Sequence, residues 1–164
     1  MRELRYIGGS EARIRANDGI FVDVEFFDGH EVVTGLEPRR LFPTSGLTKY
    51  ITLLDSEGME VAIVRDIATL MPDSREVLEN SLREYYMIPK IKHFEKMTED
   101  FGVWMWTVDT DRGRFTFEVR NHTATVKPLY DGRVLIKDAN DNRYEVPNIN
   151  DLDTRSQRMI LPNL

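Results

Sequence analysis

The residues best suited to acid–base or metal chemistry are His30, His93 and His122, and they are scattered along a chain with no cysteine. None shows the His-x-x-x-His spacing or the neighbouring Cys of a zinc site, so all three read as surface or turn residues. Ser10, Ser45 and Ser74 lack the Gly-x-Ser-x-Gly setting of a hydrolase nucleophile. Asp28, Asp55, Asp111, Asp131, Asp138 and Asp141 fall in turns, where local hydrogen bonding to the backbone accounts for them. The loop Asp138-Ala139-Asn140-Asp141-Asn142 lacks the sixth-place Gly and twelfth-place Glu of a calcium loop and reads as turn chemistry. Gly8-Gly9-Ser10 is too short to cradle a phosphate. No catalytic residue, metal ligand or cofactor is therefore expected, and the chain reads as a non-enzyme.

Two stretches carry residues suited to binding a partner. Arg39-Arg40-Leu41-Phe42-Pro43 concentrates cations and an aromatic in a link whose Pro lowers the ordering cost of binding. Trp104 and Trp106 stand two apart in a segment of strand character, so both rings project from one face. Such a pair either packs beneath the domain's own helix or anchors a partner. Arg39, Arg40, Phe42, Pro43, Trp104 and Trp106 are the candidate partner-binding residues.

The elements that must position them are mostly short strands. Dense Asn/Asp/Gly punctuation at 17–19, 28–29, 55–58, 111–113, 131–132 and 138–142 supplies hairpin turns. Between the turns, strands are expected at 12–16, 20–27, 31–36, 50–54, 59–64, 103–109, 114–120, 134–137 and 143–146. One strong helix interrupts them, running from Pro72 to about Met87, with Asp73-Ser74-Arg75-Glu76 as its start and Leu78, Leu82, Tyr85 and Tyr86 on one face. Ile88 precedes Pro89 and leaves the helix as a strand or linker. A second, shorter helix is expected after Leu152, with Thr154-Arg155-Ser156-Gln157 as a capping box and Pro162 as its stop.

The turns and caps recur. Residues 53–61 and 136–144 both read strand, turn, strand at an offset of 83, and each is followed by a Leu and a helix start. The expected fold class is thus α+β and β-rich, with hairpins and meanders, one helix per half and an internal duplication of about 82 residues. Residues 1–87 form the first repeat and 88–164 the second.

The chain of 164 residues carries 22 Lys+Arg against 28 Asp+Glu, a net charge of −6, which excludes a general nucleic-acid binder. No apolar run is long enough for a membrane span, and Met1 to Tyr6 lead into polar sequence rather than a signal-peptide core. The expected location is cytoplasmic, without direct membrane insertion. Short meanders leave sheet edges to be covered, so a homodimer or a stable hetero-complex is expected.

A set of short motifs in order, Arg40-Leu41-Phe42-Pro43, Tyr50 to Asp55 with Glu57-Gly58, Tyr86 to Ile91, Gly102-Val103-Trp104 to Thr110-Asp111-Arg112-Gly113, and Asn142 to Pro147 with Leu152-Asp153 and Ser156, resembles the bacterial domain of unknown function 1854 family. The resemblance runs from about residue 35 to the C-terminus. It implies a small stand-alone protein or appended domain associated with ABC-type exporters, some linked to cyanophycin metabolism, and it carries no established catalytic residues. The chain has no Walker motif of its own, so ATPase activity would belong to a partner. The expected role is an accessory or regulatory protein bound to a transporter ATPase or membrane subunit, peripheral at the inner face of the membrane. A sensor holding an amino acid or peptide in a cleft between the repeats is the alternative.

Overall fold

The computed structural model describes residues 4–43 and 45–164, and the side chains of these except at 122 and 123. The first three residues and the His122 side chain, both considered above, lie outside this description. The chain forms two compact units, Met1–Met87 and Ile88–Leu164.

In the first unit, strands β1 (Arg5–Ile7), β2 (Ala12–Ala16), β3 (Val22–Phe26), β4 (Val32–Arg40), β5 (Lys49–Leu54) and β6 (Glu60–Asp66) build one sheet in the order β1-β6-β5-β4-β3-β2. Neighbours are antiparallel except β1 and β6. β4 turns from one partner to the next. Its first half pairs with β3 as far as Leu36, and Glu37 to Arg40 pair with β5. Gly35, at φ +69°, makes the bend between them. Pro38 lies in the half that β3 does not reach, so its missing N–H costs no ladder bond there. This carries the strand past the expected end at 36 and turns Arg39 and Arg40 from link residues into strand residues.

Helix α1 (Pro72–Met87) covers this sheet through Leu78 and Leu82, which join a core of Ile14, Val22, Leu36, Ile51, Leu53 and Val64. Pro72 opens the helix because its fixed φ suits the first position. Ser74, expected only as part of the helix start, is fully buried, and its Oγ accepts the N–H of Ile14 at 3.0 Å.

The second unit begins with the meander β7 (Ile91–Asp100), β8 (Val103–Thr110) and β9 (Gly113–Val119). A four-residue helix, α2 (His122–Thr125), then leads into a second three-stranded sheet of β10 (Val126–Pro128), β11 (Val134–Lys137) and β12 (Arg143–Val146). Helix α3 (Thr154–Ile160) follows and is shorter than α1, as expected. Its cap is Asp153 rather than Thr154: the Asp153 carboxylate accepts the Ser156 N–H at 3.1 Å. Phe94, Trp106, Val108, Phe117, Tyr144 and Ile160 belong to the core of this unit. The Asp138 carboxylate accepts the N–H groups of Asn140 and Asn142 and the Tyr144 hydroxyl, which accounts for it as a turn residue.

Some local hydrogen-bond patterns occur in both units, although their sheets differ, one of six strands in the first and two of three strands in the second. Asp55 and Asp138 each accept two N–H groups across their hairpin turns. Asp66 and Asn148 each cap a 3-10 turn that closes with a Leu N–H donated to an Ile carbonyl, Leu70 to Ile67 and Leu152 to Ile149.

Candidate interaction surface

The side chains expected to bind a partner have different fates. Arg39 is mostly buried. It pairs with the Glu37 carboxylate, 2% exposed, and its guanidinium carbon lies 3.4 Å from the centroid of the Tyr85 ring. Residues 37 and 39 share a strand face by the two-residue period, so the pair is a local consequence of the strand. A cation committed to a buried carboxylate and to an aromatic face is structural, which corrects its assignment as a partner-binding residue.

Arg40, pointing to the other side, has its guanidinium 4.9 Å from the Tyr86 ring, and its Nε donates to the Leu47 carbonyl at 3.0 Å. It rims a groove of about 420 Å³ floored by Ile67 and Leu82 and walled by Leu47, Tyr86 and Met87, with Glu79 and Arg83 at its edge. Phe42, 51% exposed, meets the Tyr50 ring edge-on at 5.7 Å, and Leu41, Leu47, Tyr86 and Met87 are exposed as well. Pro43 is exposed beside Phe42. Arg40, Phe42 and Pro43 thus remain at the surface beside apolar side chains, the composition of an interface anchor region.

The two tryptophans part company. Trp106 is 0% exposed and packs edge-on to Phe94 at 6.1 Å and against Phe117 at 6.3 Å, so it is a core residue and not a surface anchor. Trp104, 37% exposed, lies nearer the hairpin end on the same face. Here β9 ends at Val119, opposite Trp104, and the sheet narrows to β7 and β8.

A polar cluster that the sequence reading did not single out joins β7 to α3. Asp153 Oδ1 lies 2.8 Å from His93 Nδ1, and the Ser156 hydroxyl donates to the same oxygen at 2.6 Å while accepting the Phe94 N–H at 2.8 Å. Ser156 Oγ also lies 3.1 Å from His93 Nδ1. A nucleophilic relay needs Ser and Asp on opposite imidazole nitrogens; here both face Nδ1, and the hydroxyl is buried with its proton directed to Asp153. The cluster is a brace between strand and helix. The Asp153 hydrogen bond raises the His93 pKa, and the Ser156 and His93 bonds hold Asp153 below the usual carboxylate range. The signal for this brace was the recurrence of a serine at 74 and 156.

His93, Glu95 and Asp109 offer atoms within 4.8 Å of one another, the spacing of metal ligands. Arg114 occupies that charge position: its guanidinium bonds both oxygens of Asp109, at 2.7 and 3.2 Å, and lies 3.7 Å from Glu95. A resident guanidinium opposes a cation there, and it lowers the Asp109 pKa. A shallow cleft of about 590 Å³ lies within the first unit along Tyr6, Gly8, Gly9, Ser10, Arg65 and Met71. No helix among the described residues is long and apolar enough to cross a membrane.

The fold is thus a β-rich α+β protein with an exposed apolar and cationic surface on its first unit. The family described as Domain of unknown function (DUF1854) matches residues 33–162, and the chain belongs to it. Neither the curated proteins nor the solved structures searched gave a match.

Proposed function

We propose that this protein is a non-enzymatic accessory or regulatory subunit of an ABC-type transporter, located in the cytoplasm and peripheral at the inner face of the membrane through that transporter. The observation that carries the reading is the surface of Arg40, Phe42, Leu47, Tyr86 and Met87, which leaves apolar area in water beside a cation not committed to a carboxylate among the described residues. Removing such area from water contributes about 25 cal/mol per Å² to an association. Membership of the family supports the choice of partner through the transporter association that the resemblance implies. Purified transporter ATPase and membrane subunits, each offered to the immobilised chain, test the proposal. Saturable binding to one of them is expected, and binding to neither overturns it.

The two units are read as a duplicated element of about 82 residues. Supporting this, the Ser74 and Ser156 bonds, the Asp55 and Asp138 turns and the two capped 3-10 turns recur at offsets of 82 or 83. Independent meanders have no reason to share a buried serine aimed at the first strand. The helix α2 has no equivalent among the described residues of the first unit and is an insertion in this reading.

A further inference from the structure

The β7–β8 hairpin ends in an aromatic residue that gains nothing within its own fold. Asp100 pairs with Val103, leaving Phe101 and Gly102 as a two-residue turn with φ of +52° and +80°. Positive φ at both positions defines the turn type in which Asn-Gly is favoured and a bulky side chain is strained. Phe101 nevertheless stands there, 99% exposed, with Val103 and Trp104 part-exposed behind it. In the first unit the chain between β2 and β3 carries Asn17-Asp18-Gly19, and those strands are five residues each against ten and eight here. The second unit thus has a longer hairpin tipped with an apolar side chain.

The tip also carries negative charge. Asp100 has no cationic partner among the described residues, and Glu99 accepts only the Gly102 N–H at 3.1 Å. The groove of the first unit has the complementary character: an apolar floor, about 420 Å³, and a rim of Arg40 and Arg83 with a single carboxylate, Glu79. Neither Arg is ion-paired among the described residues; Arg83 bonds the Asn80 amide oxygen and Arg40 the Leu47 carbonyl.

We propose that the Phe101 tip of one copy docks into the Arg40–Arg83 groove of a second copy, and reciprocally, forming a two-fold homodimer. Phe101 enters the groove, and Asp100 and Glu99 meet the two guanidinium groups at its rim. Each chain carries both members of the pair, the tip on the second unit and the groove on the first, and reciprocal use of both closes the assembly at two copies. The dimer covers the same groove proposed for the transporter, so self-association and partner binding exclude one another at Arg40. The proposal needs no transporter and is read without one.

Sedimentation equilibrium of the intact chain, from about 1 to 200 µM, tests it, because mass per particle reports association directly. The expected mass rises toward twice the 19.1 kDa of one chain. Phe101→Asn should weaken dimerisation at least about 30-fold, the loss typical of an interface hot spot. Its melting temperature should stay equal or rise, since Asn suits the turn. Arg83→Glu and Asp100→Arg should each weaken association, and the double variant should restore it. Phe101→Gly serves in the same test if Phe101→Asn lowers the melting temperature. A single-chain mass across the range overturns the proposal, as does a Phe101→Asn chain that dimerises like the parent or a double variant no better than either single. Monomers that instead bind phosphatidylcholine vesicles through Phe101 overturn it in favour of a bilayer.

Discussion

Ser74 and Ser156, 82 residues apart, hold the same station: each is buried at a helix start and accepts, through Oγ, a backbone N–H from the first strand of its meander, Ile14 at 3.0 Å and Phe94 at 2.8 Å. Each bond fastens a helix to a sheet at a point water does not reach. Ser74→Ala and Ser156→Ala should each cost about 1–3 kcal/mol, because a buried donor is left without an acceptor. Urea unfolding of each variant measures this. A cost near zero for both would show that the serines only fill space.

The two arginines of the Arg39-Arg40 pair should respond oppositely to charge reversal. Arg39→Glu sets a second carboxylate beside buried Glu37 and removes the cation over Tyr85, so a loss of about 3–5 kcal/mol is expected. Arg40→Glu acts at a rim, where the expected change is within about 0.5 kcal/mol. Thermal unfolding of the two single variants separates them.

Trp106→Ala should cost about 3–5 kcal/mol as a large core deletion, whereas Trp104→Ala should cost less than half of that. Near-ultraviolet circular dichroism and chemical unfolding together check both. Equal losses would mean that Trp104 is covered as deeply as its neighbour.

The His93–Asp153 bond sets a pH dependence whose sign follows from two opposite shifts. His93 binds its proton more tightly in the folded chain, so its contribution is complete below the ordinary value of 6.5 and is lost as pH rises through the folded value. Asp153 is shifted down, so its contribution is complete above the ordinary carboxylate range and fades as pH falls. The stability difference between the parent and His93→Gln should therefore be largest near pH 5–6 and shrink toward about pH 9. Melting temperatures across that range give the test, and a difference independent of pH would contradict the assignment.

Strands bounded by Asp/Gly turns were legible because turn chemistry and alternation agreed: 12–16, 134–137 and 143–146 stand at the expected positions. Helix α1 was legible from Pro72, its apolar period and Pro89 beyond its end. Strand β7 was less so, since Lys92, Glu95, Lys96, Glu99 and Asp100 obscure its alternation, and its regularity comes from pairing with β8. Strand β4 was expected to end at Leu36, because a sequence does not disclose that Glu37 to Arg40 leave β3 and go on pairing with β5. Among the candidate residues, Phe42 and Pro43 stand at the surface, as a polar-flanked link containing Pro suggested. The different depths of Trp104 and Trp106 depend on where β9 ends, a tertiary fact with no local signature.

The central claim, that the Arg40–Phe42–Tyr86 surface binds an ABC-type transporter, is tested most directly by the dissociation constant of the intact chain for the purified transporter, compared with that of Phe42→Ala/Arg40→Glu at physiological salt. The account predicts saturable binding by the parent and a loss of at least about 30-fold in the variant, with its melting temperature within a few degrees of the parent. Equal affinities for parent and variant, or no binding by the parent, would contradict it.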